Sequence, residues 1–304
     1  MQNNKKSPFF SVVITTYNRP HLLPHALKSV IDQTFEDYEI IIINDGSSHD
    51  YSEFEKSIAN RQFIRYYKTE NQGRSQARNF GIAKASGDYI CLLDDDDQYE
   101  LIHLETLHYE IISYHSPVAL FHTKPKRVLN GIPIVKKHEF IQGTSDNSTK
   151  NNVLKVIYNI EAIHSTAIHN SIFKEERFSD YLTHGEDTDL FVRIAIKYPI
   201  ISINKVTVIY NLHDNNTSTW SNESALSYYI TSLYFYNKYK DVLPYSYIST
   251  RIAKFALALA ELNKTQTKLA FKYILTCIRF RPKILCSTYI YKLTLHVILL
   301  ILKK

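Results

Sequence analysis

The sequence predicts an α/β fold: a mostly parallel sheet flanked by helices, followed by a helical C-terminal extension. Three observations carry this. Continuous apolar, β-branched runs alternate with amphipathic segments through the first hundred residues, the pattern of parallel strands covered on both faces. Polar clusters follow directly on three of those runs. From about residue 223 to the end the pattern is mostly helical.

The elements follow in order. "FFSVVITTY" (9–17) reads as a buried strand. Residues 20–34 have helical spacing at Leu23, Leu27, Val30 and Ile31, with Pro20 near the start. "YEIIIIND" (38–45) is a second strand, and "SSHDYSEFEKSIAN" a helix opening on capping residues. "FIRYYKTE" (63–70) is a third strand, "GRSQARNFGIAKAS" (73–86) a helix and "DYICLLD" (88–94) a fourth strand. Residues 101–115 are helical. "VALFHT" (118–123) and "KRVLNGIPIVKKHEF" (126–140) read as strands, the latter turning at Asn130-Gly131. "GEDTDLFVRIAIKY" (185–198) is a helix with Glu186, Asp187 and Asp189 at its start, and residues 203–214 form another strand. No internal repeat is present.

Composition narrows the class. An apolar fraction of 44% with 7 glycines and 9 prolines in 304 residues argues against low complexity. Three cysteines, an odd number without metal-type spacing, fit a reducing compartment. "MQNNKKSPFFSVVITTYN" is not a signal peptide, so a cytoplasmic protein is expected. The net charge of +6 conceals an asymmetry: residues 251–304 carry 11 Lys/Arg against Glu261 alone.

The polar clusters locate the chemistry. Open parallel sheets bind ligands at the carboxyl ends of their strands. Thr15, Thr16 and Tyr17 end the first strand, Asn44 and Asp45 the second, and Asp94–Asp97 follow the fourth, so all three clusters fall on one edge. Four adjacent carboxylates repel one another unless something neutralises them. A solvated acidic turn beside a helix dipole is the plain reading. A hydrophobic strand running straight into them favours a Mg²⁺ or Mn²⁺ ion held together with substrate phosphates. Neither G-x-G-x-x-G after the first strand nor G-x-x-x-x-G-K-[ST] occurs, which argues against a Rossmann dehydrogenase or a P-loop enzyme.

Four segments, in order, resemble family 2 glycosyltransferases with the Rossmann-like GT-A fold. They are "SVVITTYNRPHLLPHALKSVIDQTFEDYEIIIINDGSSHD", "NQGRSQARNFGIAKASGDYICLLDDDD", "GEDTDLFVRIA" and "YNLHDNNTS". The resemblance covers roughly 8–220. It implies a catalytic domain over 1–220, with a nucleotide-sugar half (about 8–100) and an acceptor half (about 101–220), and a basic helical extension over 221–304. It also implies an inverting, metal-dependent transferase that uses Mn²⁺ or Mg²⁺ and a nucleotide-diphospho-sugar, with a UDP-sugar expected. The acceptor implied is a glycan or lipid-linked saccharide of capsule or lipopolysaccharide synthesis.

Roles follow residue by residue from the same resemblance. Thr15, Tyr17 and Asp45 contact the base. The four aspartates leave the register of the D-x-D motif open; Asp94 and Asp96 are favoured as the D-x-D pair that binds the metal, with Asp95 near the ribose and Asp96 as the direct metal ligand. Arg78 lies near the nucleotide or diphosphate, and His213 reaches the metal or diphosphate. Asp187 is the general base on the acceptor hydroxyl, worth typically 10²–10⁴-fold, and Glu186 orients the acceptor. Asp189 is solvent-facing or structural. His164 and His184 can line the acceptor site, though nothing in the sequence requires it. Each residue also has a plainer reading: helix-terminal carboxylates for Glu186 and Asp187, a surface charge for Arg78, a surface or core residue for His213.

Residues 284–302 are apolar but interrupted by Lys292 and His296. They suit an interfacial helix on an anionic membrane, or packing on a protein surface, better than a span. A peripheral position on the inner face of the cytoplasmic membrane is the expectation, with no nucleic-acid partner. A sugar-nucleotide-forming nucleotidyltransferase lacks support because the N-terminal strand carries no glycine- and basic-rich triphosphate loop. A non-catalytic sugar-nucleotide or glycan-binding protein is disfavoured by the intact acids.

Overall fold

The computed structural model describes residues 7–134, 148–160, 162–212, 221–282 and 293–294. The chain divides into two compact units, Met1–His213 and Asp214–Lys304.

One nine-stranded sheet organises the first unit among the described residues. Its parallel half contains β1 (Phe10–Thr16), β2 (Tyr38–Asp45), β3 (Ile64–Thr69) and β4 (Tyr89–Asp94), in spatial order β3-β2-β1-β4. Ile40, Ile41, Ile42 and Ile43 are fully buried, each contributing about 1.5–3 kcal/mol relative to exposure. Successive residues of a strand face opposite sides. Val12, Ile14, Ile40 and Ile42 therefore pack with Leu23, Ala26, Leu27 and Val30 of α1 (Leu23–Ile31). Pro24 lies in the first turn of α1, where its missing N–H costs nothing.

Val13 and Ile43 face the other side and meet α3 (Arg74–Lys84). A Cβ on Gly81 of α3 would run into the Val13 side chain, so glycine here permits close helix–sheet approach. α2 (Ser52–Ile58) and α4 (His103–Ser113) complete the α1 side through Phe54, Ile58, Leu104, Leu107 and Ile111.

The second half of the sheet is mixed. β5 (Gln98–Tyr99), β6 (Leu120–Leu129), β7 (Ile132–Ile134), β8 (Thr166–His169) and β9 (Ile200–Leu212) extend it in the order β4-β8-β6-β9-β5, with β7 on β6. β8 runs antiparallel between β4 and β6, whereas β6 and β9 are parallel. The two strands expected at 118–123 and 126–140 are partly one: β6 continues through Pro125. The proline is accommodated because β6 pairs with β8 only over Leu120–His122 and with β7 only over Arg127–Leu129. The register with β9 slips on either side of Lys124. Asn130 and Gly131, both at positive φ, make the expected hairpin turn; residues 135–140 lie outside the described residues. Two helices of this half, α5 (Thr149–Asn159) and α6 (Glu186–Lys197), pack on each other.

The second unit contains α7 (Asn222–Tyr239), α8 (Tyr245–Leu262) and α9 (Thr267–Phe280). Ser221 and Ser224 form a reciprocal cap on α7. Ala253, Ala256, Cys277, Ala260, Ala270 and Ile274 fill the contacts among these helices. Asn263 donates to Leu259 O and to Asn222 Oδ1, tying the end of α8 to the start of α7. No described helix is long and apolar enough to cross a membrane. Most of the segment 284–302 lies outside the described residues.

Candidate active site

Strand register brings the three polar clusters to one edge. Thr15 pairs across from Asp94, Thr16 from Asn44, and Asp45 from Thr69. Thr16 Oγ1 donates to Asp95 (2.6 Å) and lies 2.8 Å from Tyr51 Oη. Asn18, at φ 55°, accepts from the Ser48 and His49 N–H groups and so joins the loops after β1 and β2. Tyr17 is 46% exposed. Asp45 is buried, and its two oxygens accept from the Gln72 and Gly73 N–H groups (3.0 Å each). It thereby fixes the loop that launches α3.

The aspartate run is a turn, closed by the Asp97 N–H donating to Asp94 O (3.1 Å). The four carboxylates are neutralised from different directions. Arg78 donates to Asp94 (2.7 Å). Arg19 forks onto Asp95 and Asp96, the latter at 2.7 Å. Asp97 accepts from the Asn211 N–H (2.9 Å) and lies 2.7 Å from His164 Nδ1. Burial pushes the Asp95 carboxyl up to about 7, against the opposing pull of Arg19 and Thr16. Burial opposes charge on His164, yet Asp97, with Asp94 and Asp96 behind it, raises its pKa. For Asp94, too, burial pushes upward, but Arg78 overrides it and holds the carboxyl at about 2.

The second acidic cluster joins the first through Arg78. Its guanidinium is buried, donates to Glu186 (2.9 Å) as well as Asp94, and lies 5.4 Å from the centre of the Phe178 ring. Asn79, the next residue of α3, makes two hydrogen bonds of 3.0 Å with the backbone of Phe178. α3 therefore clamps the segment leading into α6. Glu186 and Asp187 open α6 directly after Gly185 at φ 74°. Burial, then the neighbouring Asp187 charge, raise the Glu186 pKa against Arg78 and Arg74. Asp187 is half-buried and accepts from the Thr188 N–H (2.6 Å). Asp189 is buried and paired with Arg193 and Ser179, which is a structural role.

Among the described residues, the group whose ligand atoms lie within 4.8 Å of one another is Asp94, Asp97 and His164. Asp96, which the resemblance implied as the direct metal ligand, is bound to Arg19; His213 lies outside the described residues. The two carboxylates suit Mn²⁺ or Mg²⁺, and the imidazole, a softer donor, favours the transition-metal ion Mn²⁺ of the two. His164 Nε2 is also buried without a hydrogen-bond partner among the described residues, so the donor set fits a divalent cation. The sequence pointed to no role for Arg19, left Asp97 as one unassigned member of the aspartate run, and offered His164 only as a residue that can line the acceptor site. Asp97 was visible as the last of the run; no spacing links it to His164, 67 positions away.

The glycosyl transferase family 2 model matches residues 11–175, more than half the chain. The chain belongs to glycosyl transferase family 2. An uncharacterized glycosyltransferase of Rickettsia bellii is 30% identical over 85% of the chain and 36% of its own length. The GalNAc(5)-diNAcBac-PP-undecaprenol beta-1,3-glucosyltransferase of Campylobacter jejuni is 38% identical over 30% of each chain. The chain spans about a third of the length of the first curated relatives it matches, 31–36%. Among solved structures, Staphylococcus aureus TarS 1-349 superposes with a TM-score of 0.61 at 17% identity, over 90% of this chain and 81% of that one. A Pyrobaculum calidifontis mannosyltransferase in complex with GDP-Man and Mn²⁺ gives 0.57 at 12% identity, over 98% and 86%. The GT-A fold that the motifs implied for this family 2 chain is the fold observed.

Proposed function

We propose that this family 2 chain transfers a sugar, with inversion, from a nucleotide-diphospho-sugar to a glycan or lipid-linked saccharide of cell-surface polysaccharide synthesis, such as capsule or lipopolysaccharide. The observation that carries the reading is the Arg78 bridge. It joins the aspartate turn at the end of β4 to the acidic start of α6 across one sheet edge.

Thr15, Tyr17 and Asp45 line the edge where the base would lie. Asp94, Asp97 and His164 would hold a divalent cation, with Asp95 near the ribose. When bound, that cation offsets negative charge developing on the leaving diphosphate. Asp187 takes the proton from the acceptor hydroxyl as its oxygen bonds to the anomeric carbon and the bond to the diphosphate breaks. Glu186, held by Arg78, orients the acceptor beside Asp187. A UDP-sugar is the expected donor. A TarS structure in complex with UDP-GlcNAc supports this choice, as does the Mn²⁺ complex of the mannosyltransferase for a metal.

A peripheral contact with an anionic membrane, on its cytoplasmic face, belongs to the same reading. α9 exposes Lys268, Lys272, Leu275 and Arg279 at helical spacing along one face.

The direct test is UDP release from a panel of UDP-sugars with Mn²⁺ and saccharide acceptors. Acceptor-dependent release supports the proposal. Release from none of them, despite tight nucleotide binding, would favour a binding protein.

A further inference from the structure

The four aspartates have counter-cations within the chain, and these differ in access to solvent. The side chains of Arg78 and His164 are 5% and 1% exposed, whereas that of Arg19 is 33% exposed. We propose that Arg19 is a tethered counter-cation that competes with the divalent cation for Asp96, so that metal loading and release of the Arg19 guanidinium are linked. This rests on the proposed binding of a divalent cation at the aspartate turn.

Arg19 spans two acids with different freedom. The Asp95 side chain is fully buried and also held by Thr16 at 2.6 Å. The Asp96 side chain is 13% exposed, and its charge acts on both Asp97 and His164 of the candidate metal group. A cation seated among Asp94, Asp97 and His164 would therefore attract the Asp96 carboxylate and repel the guanidinium now on it. Among the described residues His164 Nε2 is buried without a hydrogen-bond partner, an independent sign that this group accepts a ligand.

The backbone permits such an exchange. Tyr51 Oη accepts from the Arg19 N–H (2.9 Å) and contacts Thr16 Oγ1 (2.8 Å), while Asn18 is tied to Ser47 and Ser48. The loop can stay anchored while the guanidinium leaves Asp96. Once released from Asp96, the guanidinium keeps only Asp95 as an anionic partner, and a diphosphate offers a second anion in matching fork geometry. Metal and nucleotide should then strengthen each other's binding.

The test measures Mn²⁺ binding to the full chain by calorimetry, first alone and then with UDP. Without nucleotide, Arg19→Ala is expected to bind Mn²⁺ about tenfold tighter than wild type, a difference of about 1.4 kcal/mol. The affinity gained on adding UDP should shrink in that variant. Arg19→Lys keeps a charge but cannot span both acids, and is expected to fall between the two; it carries the test if the alanine variant does not fold. Mn²⁺ binding in the variants equal to or weaker than wild type, or an undiminished gain from UDP, would overturn the proposal. If wild type bound no Mn²⁺ even with UDP, the functional reading itself would fail. If it did bind and the Arg19 variants matched it, only the role of Arg19 would.

Discussion

Replacing Arg78 with methionine removes the only guanidinium that bonds both Asp94 and Glu186 among the described contacts, while keeping much of the side-chain volume. Arg78 and Glu186 are each about 5% exposed, at 2.7 and 2.9 Å in the two ion pairs. Removing one member of a buried ion pair costs about 3–5 kcal/mol, because the remaining charges lie stranded. Asp94 alone, held at about 2 rather than the ordinary 3.8, represents about 2 kcal/mol of that. At 2–4 °C per kcal/mol for a unit of this size, melting should fall by about 6–20 °C. The pH dependence has a definite sign. A depressed Asp94 pKa stabilises above 3.8 and the benefit is lost as pH falls toward 2. In the variant that benefit is gone. Glu186, already raised by burial and Asp187, rises further and takes up a proton as pH falls. The deficit of Arg78→Met should therefore be largest near pH 7 and smaller at pH 5, measured by circular dichroism melts at both. Neutralising the stranded acids as well, with Asp94→Asn and Glu186→Gln, should return part of the loss. A variant melting within about 2 °C of wild type at pH 7, or with a deficit that grows at pH 5, would show that Arg78 does not hold Asp94 and Glu186 as charged partners.

Other perturbations separate chemistry, folding and membrane contact. Asp187→Asn should lower sugar transfer about 10²–10⁴-fold while leaving UDP affinity within about twofold; wild-type turnover would remove Asp187 as the base. Gly46, at φ 68° beside Asp45, faces the Asn71 backbone where a Cβ would collide. Gly46→Ala should cost at least about 1–2 kcal/mol from the left-handed conformation alone, read as a lower urea midpoint at unchanged slope. Changing Lys268, Lys272 and Arg279 together to glutamine should weaken binding to phosphatidylserine vesicles by about 1 kcal/mol per charge at low salt. Equal cosedimentation of variant and wild type would exclude this face from membrane contact.

The parallel half of the fold was legible because burial on both faces of a parallel sheet demands continuous apolar strands. The strand expected at 38–45 is β2 to the residue, and the expected helix at 73–86 encloses α3. Beyond residue 100 the same logic weakens. β8 is four residues long and is identified only by its pairing with β4 and β6. α5 carries Asn151, Asn152 and Asn159 in a segment of little net hydrophobicity. It buries Lys155, which is satisfied by the carbonyl of Ile200. In the site, strand ends announced Thr15, Asp45 and Asp94, and a helix start announced Glu186 and Asp187. The sequence did not say which cation answers which acid. Arg19 lies 76 and 77 positions from its two aspartates, and only the close parallel pairing of β1 with β4 brings them together.

The aspartate turn is proposed to seat a divalent cation together with a nucleotide diphosphate. The most direct measurement is calorimetric titration of the full chain with UDP, once with Mn²⁺ and once with EDTA. Binding is expected with Mn²⁺ and should be lost or strongly weakened in EDTA. Equal UDP affinity in both conditions would contradict this, because the internal cations Arg19, Arg78 and His164 would then suffice without a metal.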